Sequence, residues 1–203
     1  TRELAVTGVQ TCALPIFGIG YNDTMMPKEI IGKFDGFLAK RKLSLEAVVI
    51  GGAALGLLGI VTRHTRDCDI LHPKLPDNII SAAKDFAATI RKEGEPLQDD
   101  WLNNGPHSVG DLLPIGWSDR LQPLYEGEAI ILFTLGRSDL LLTKLFGFCD
   151  RATDLGDCLA LAPTKGELKE ALPWLQQQDA HPGWPDHVEE SLRDIAKRLG
   201  YEL

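Results

Sequence analysis

Asp67 and Asp69 are the two side chains in this sequence whose type and spacing most directly suggest chemistry. They lie two residues apart in DCDIL (residues 67 to 71), a short apolar run that reads as a strand, so both carboxylates face the same way. Two carboxylates held side by side repel each other unless a cation lies between them. Hard oxygen donors of this kind suit magnesium or manganese. Such an ion can activate an attacking hydroxyl and neutralise a leaving pyrophosphate.

Upstream, Gly51 and Gly52 end the apolar run EAVVI (46 to 50) and open the apolar helix AALGLLGIV. A strand-to-helix turn without side chains lets a phosphate approach the backbone. The loop Thr62-Arg63-His64-Thr65-Arg66 then leads directly into Asp67. One of its arginines could bind phosphate while the other is solvated. Singly, each piece is common: GGAALG lacks the spacing of a dinucleotide site, and the chain has no GxxxxGK[ST] phosphate loop. The ordered set of strand, glycine pair, helix, basic loop and acidic strand is more specific.

The flanking elements must hold this set in place. An amphipathic helix is expected over 27 to 42 and another over 76 to 93, with strands at 96 to 103 and 128 to 135 and a loop-rich stretch at 104 to 120. Helices follow from Ser138 or Asp139 to about Cys149, then over 153 to 161, 165 to 178 and 185 to 199. This order predicts an α/β (α+β) fold: a small mixed sheet packed on one side by helices, with a helical C-terminal region.

The composition is that of a globular chain of 203 residues, 44% hydrophobic and 25% charged. A net charge of -8 gives no global attraction for nucleic acid, so phosphate contacts must come from local basic groups. No apolar run is long enough to span a membrane, and a cytoplasmic setting is expected. Cys12, Cys68, Cys149 and Cys158 form no CxxC pair and read as free thiols. His64, Cys68 and His72 have helical ligand spacing, but Pro73 and the DCDIL strand break that helix, which argues against zinc.

Gly51-Gly52, Arg63, Thr65 and the Asp67-Cys68-Asp69 strand together resemble the signature of the DNA polymerase β-type nucleotidyltransferase superfamily. The later stretch AIILFTL followed by SDLLLTKLFGFCDRATDLGDCLAL is similar to its AbiEii-like branch, and the tail resembles a bacterial subfamily. The resemblance implies a nucleotidyltransferase fold over 27 to 203 and transfer of a nucleotidyl group from a nucleoside triphosphate. The acceptor could be RNA, a protein hydroxyl or a small molecule. It also suggests a toxin-antitoxin or defence setting with an antitoxin partner. In catalytic roles it places Asp67, Asp69 and a third carboxylate, with Mg2+ or Mn2+ held by Asp67 and Asp69. In nucleotide binding it places Gly51, Gly52, Arg63, Thr65 and Lys144; Arg151, Asp154 and Asp157 correspond to an arginine and aspartates that follow the lysine.

The third carboxylate is the departure from the pattern. EAIILFTL has no acid in its interior, so Asp99 and Asp100 are the candidates, and Asp100 is preferred as an acid followed by an apolar pair. Without it, the chain reads as a nucleotidyltransferase-fold binding module with weak or no activity. Lys144 sits among Leu140, Leu141, Leu142, Leu145 and Phe146, and a buried ammonium needs a partner. That partner is a phosphate or site carboxylate, or else Asp154 or Asp157; alternatively the side chain snorkels to solvent. Trp101 reads as core, with stacking on a base as its functional alternative.

Residues 6 to 16 (VTGVQTCALPI) resemble a translated sequencing adapter. The expected organisation is therefore a non-native leader at 1 to 24, a nucleotidyltransferase core at 25 to 136, and a helical region packed on it at 137 to 203.

Overall fold

The computed structural model describes residues 27 to 62, 65 and 67 to 203. The expected leader lies outside the described residues, as do Arg63, His64 and Arg66. The chain runs through α1 (Pro27–Lys40), β1 (Leu45–Ile50), α2 (Gly51–Leu57), β2 (Cys68–His72), α3 (Asp77–Lys92) and β3 (Leu102–Asn103). It continues through α4 (Val109–Leu112), a 3-10 turn at Trp117–Arg120, β4 (Gln122–Glu126) and β5 (Ile130–Thr134). Four helices close the fold: α5 (Arg137–Arg151), α6 (Leu155–Leu161), α7 (Lys165–Gln176) and α8 (Trp184–Arg198).

The five strands form one mixed sheet in the order β3-β2-β1-β5-β4. β1 pairs antiparallel with β2 and parallel with β5, while β3 adds parallel to β2 and β4 adds antiparallel to β5. β1 is central because its alternate residues are apolar on both faces. Ala47 and Val49 pack into one core with Ile31, Phe34 and Leu38 of α1 and Ile79, Ala83 and Phe86 of α3. Val48 and Ile50 pack into a second core with Leu140, Leu145, Leu168, Val188 and Ile195 of α5, α7 and α8. The mixed α/β fold with flanking helices is thus as expected, except that helices cover both faces of the sheet. The second face of β1 is too apolar to face water, and the C-terminal helices bury it.

Two elements differ from expectation. Only Leu102–Asn103 is strand in the stretch 96 to 103, because Asp99 and Asp100 form a turn and Trp101 drops into the first core. Trp101 is 2% exposed, its ring lies edge-on to Phe34 and its Nε1 donates to the Ala83 carbonyl, which excludes base stacking. Conversely, β4 arises from QPLYE, a polar run with an internal proline. It is an edge strand, where a missing N–H is tolerated, and its register shifts between Pro123 and Tyr125.

Polar clasps join the layers. The buried Asp35 of α1 accepts three backbone N–H bonds, from Glu128 at 3.1 Å, Ala129 at 2.9 Å and Ile130 at 2.8 Å, so the β4–β5 turn is tied to the first helix. Gly127 permits this, since a Cβ there would overlap the Asp35 carboxylate. Asn104 donates to the Ile70 and Pro73 carbonyls and accepts from Leu75 N–H at 2.7 Å, which fixes the chain that leaves β2. Arg120 and Asp139 meet through paired bonds of 2.8 and 2.9 Å, joining the 3-10 turn to α5.

At the start of α7, Thr164 and Glu167 form a reciprocal capping box, and Arg137 of α5 donates to Glu167 at 2.7 Å and to the Leu161 carbonyl at 2.9 Å. Cys68, Cys149 and Cys158 are free and buried, and burial pushes their thiols up to about 12, 11 and 12. They are packing residues at neutral pH. Among the described residues, no helix is long and apolar enough to cross a membrane.

Replacing Asp35 with alanine leaves buried N–H groups unpaired and is expected to cost about 3 kcal/mol in urea denaturation. The hydrogen bond from Arg137 holds the Glu167 carboxyl down at about 2. Its folded value lies below its unfolded one, so its contribution is complete above the ordinary carboxylate range and lost as pH falls toward 2. Glu167→Gln keeps an acceptor for the Thr164 N–H and is expected to cost about 0.5–1 kcal/mol at neutral pH through the lost ion pair with Arg137. It should also flatten the acid limb of stability, measured by thermal melts between pH 5 and pH 2.

Candidate active site

The site begins with the register of two strands. Ile50, the last residue of β1, lies opposite Asp69 on β2. The next residue, Gly51, turns the chain into α2 with φ +76°, and a Cβ there would lie 2.8 Å from Asp69 Oδ2. Glycine is therefore required twice over, for a left-handed backbone and for contact with the carboxylate.

Asp69 and its neighbours line a cleft of about 300 Å3, bounded by Ile50, Gly51, Gly52 and Thr65 on one side. Thr143, Lys144 and Phe146 of α5, with Arg151 and Asp154 beyond them, form the other wall. Seven residues singled out from the sequence thus share one cavity: Gly51, Gly52, Thr65, Asp69, Lys144, Arg151 and Asp154. Asp67 sits just before β2, lining with Thr65 a narrow crevice beside the first core, and Thr65 Oγ1 donates to its carbonyl at 3.2 Å. Burial raises the proton affinity of Asp69 most, and the charges of Asp67 and Asp154 raise it further. A hydrogen bond from Asn103 and the charge of Lys144 oppose that rise.

Lys144 is 5% exposed, and its ammonium lies 3.2 Å from Asp154 Oδ1 and 2.7 Å from Asp157 Oδ2. The paired reading of this lysine therefore holds in this state, within reach of the cleft. Asp154 takes a left-handed backbone at φ 62° to join the pair. Gly147 makes room for it, since a Cβ there would lie 2.5 Å from Asp154 Oδ2 and 3.1 Å from Arg151 Nη2.

Asp100 is exposed in the turn before β3, and Asp99 is drawn to Arg91 at 2.7 Å. Among the described residues, no three His, Cys, Asp or Glu side chains are grouped to hold a metal. The strand position level with Asp69 is taken by Asn103, whose Nδ2 donates to Asp69 Oδ1 at 3.3 Å. Sequence reasoning passed over Asn103, Gly147 and the rim residues Pro106 and Val109. None carries a charge, and their role depends on pairing across the sheet and on the packing of α5. Arg63 lies outside the described residues.

A family described as "Nucleotidyltransferase of unknown function (DUF6036)" matches residues 29 to 161. The chain belongs to this family. The matched segment contains both walls of the cleft, including Asp67, the Asp69 strand and the Lys144, Asp154 and Asp157 group. Neither curated proteins nor solved structures give a match.

Lys144→Met in this nucleotidyltransferase family member leaves two carboxylates without their ammonium and is expected to cost about 3–5 kcal/mol in chemical denaturation. Adding Asp157→Asn should recover part of that loss, because one of the two carboxylates is then neutral. Gly51→Ala is expected to lower stability by about 1–2 kcal/mol from backbone strain alone, read as a drop in melting temperature.

Proposed function

We propose that this protein is a cytoplasmic, metal-dependent nucleotidyltransferase that moves a nucleotidyl group from a nucleoside triphosphate to an acceptor hydroxyl on RNA, protein or a small molecule. The observation that carries this reading is the single cleft joining Gly51, Gly52, Thr65 and Asp69 to the α5 wall that bears Lys144 and Arg151, in a chain of a nucleotidyltransferase family.

The residues present suit a divalent ion. Asp67 and Asp69 offer hard oxygens, Asp69 opening into the cleft and Asp67 into the crevice that also borders Thr65. Mg2+ or Mn2+ held there would supply activation of the acceptor hydroxyl and charge neutralisation of the leaving pyrophosphate. The chain's own contribution is positioning. Gly51 and Gly52 leave the backbone open to the triphosphate, Thr65 offers a hydroxyl at the same wall, and Lys144 and Arg151 supply the positive charge opposite Asp69. Arg63, one residue from Thr62, is assigned to phosphate binding on the motif. The likeness to the AbiEii-like branch favours a toxin-antitoxin or defence setting, with an antitoxin protein as partner.

A second reading has its own observation. With Asn103 rather than a carboxylate level with Asp69 and Asp100 in an exposed turn, the chain could bind nucleotide without turning it over. Asp67→Asn separates the two. The enzyme reading expects magnesium-dependent labelling from radioactive triphosphates in the native chain and its loss in the variant, with an unchanged circular dichroism spectrum. Titration of the four triphosphates with magnesium, showing binding but no labelling, would establish the binding module instead.

A further inference from the structure

The cleft has two unlike ends, set apart by the geometry of α5. That helix lines it with Thr143, Lys144, Phe146 and Arg151. With about 3.6 residues per turn, Arg151 falls nearly in line with Lys144 two turns on, whereas Phe146 lies on the other flank of Thr143. The Lys144 flank carries the charges. Its ammonium meets Asp154 and Asp157, and Asp69 beside the Gly51 turn senses both Lys144 and Asp154. The Phe146 flank is apolar. Its ring meets that of Trp174, whose Nε1 donates to the Leu112 carbonyl at 3.1 Å and so ties α4 to this flank. Val109 at the start of α4, with Pro106 just ahead of it, completes the lining there.

Phe146 is half-buried and part of its surface opens into the cleft. Two indoles hold the ring from behind, Trp174 at 6.3 Å and Trp184 at 6.4 Å, both nearly perpendicular to it at 81° and 75°. Trp184 is itself anchored, donating to the Leu175 carbonyl at 2.8 Å. The ring is therefore fixed before any ligand arrives, which lowers the entropy cost of binding against it. Thr143 spends its hydroxyl proton on the Leu140 carbonyl, and Pro106, Val109 and Phe146 have no polar side-chain atom. Such an end takes a flat, weakly polar group. A molecule with a chain of phosphates at one end and an aromatic ring at the other matches both parts of the cleft.

We infer that Phe146, flanked by Pro106 and Val109, is the nucleobase subsite of the cleft, the base lying against its ring while the phosphates reach the Gly51-Gly52 turn, Lys144 and Arg151. The inference rests on the nucleotide reading of the cleft proposed above.

The test titrates the full chain calorimetrically with ATP and, separately, with inorganic tripolyphosphate, both in magnesium buffer. The native chain is expected to bind ATP at least about tenfold tighter than tripolyphosphate, which has no base to stack. Phe146→Ala should weaken ATP at least about fivefold and leave tripolyphosphate within about twofold. Phe146→Leu guards against a variant that fails to fold, because it keeps an apolar side chain against Trp174 and Trp184. It lacks the flat ring and should show the same split between the two ligands. Unchanged ATP affinity in Phe146→Leu would overturn the inference, as would an equal loss for both ligands, the mark of a merely structural role. Tripolyphosphate bound as tightly as ATP by the native chain would also overturn the base subsite while leaving the phosphate end in place. No ATP binding by the native chain would remove the nucleotide reading itself, and the inference with it.

Discussion

The antiparallel pairing of β1 with β2 sets Ile50 opposite Asp69, and the geometry of the cleft follows from it. That register places the glycine turn against the Asp69 carboxylate, so the phosphate-accessible backbone and the acidic strand become one surface. A slip of one residue would turn Asp69 toward the first core and bring an apolar side chain to the turn. The register is secured from both faces. β1 gives alternate residues to two separate cores, so either slip would bury the wrong set against α1 and α3 or against the C-terminal helices.

The charges of the cleft are arranged around one problem, which is keeping acidic groups together in a partly dry place. Asp69 is partly buried and lies near Asp67 and Asp154. Lys144 answers on one side with an ammonium shared by Asp154 and Asp157, and Asn103 answers on the other with an amide. Gly147 and Gly51 are the steric counterparts of these contacts, removing side chains where carboxylates must come close.

The helical C-terminal region is structurally part of the same body. α5 and α6 lie inside the segment matched by the DUF6036 family and provide Lys144, Arg151, Asp154 and Asp157. α7 and α8 lie beyond that segment and complete the second core. They are joined to α5 by the Arg137 bridge to Glu167 and Leu161, and by packing of Leu168, Val188 and Ile195. The α5 wall of the cleft therefore rests on helices that contribute packing rather than site residues.

Local chemistry made much of this legible from the sequence. Periodicity placed β1, α1, α3 and the C-terminal helices within a few residues. The glycine pair and the alternate aspartates marked the cleft, because backbone freedom and strand alternation are properties of short segments. Lys144 announced itself as a charge in an apolar helix, though only the fold chose Asp154 and Asp157 as its partners. The third acidic position was not legible. Whether residue 99, 100 or 103 stands beside Asp69 depends on where the chain leaves its turn, and that is set by Trp101 packing among Phe34 and Phe86. β4 was hidden for a related reason: a polar strand with a proline has no local signature, and its place comes from pairing at the open edge of β5. The sequence by itself determined the strongly periodic helices, the apolar strands and which segments carry charge. Tertiary structure alone decided which polar groups meet, because such meetings depend on long-range register and core packing.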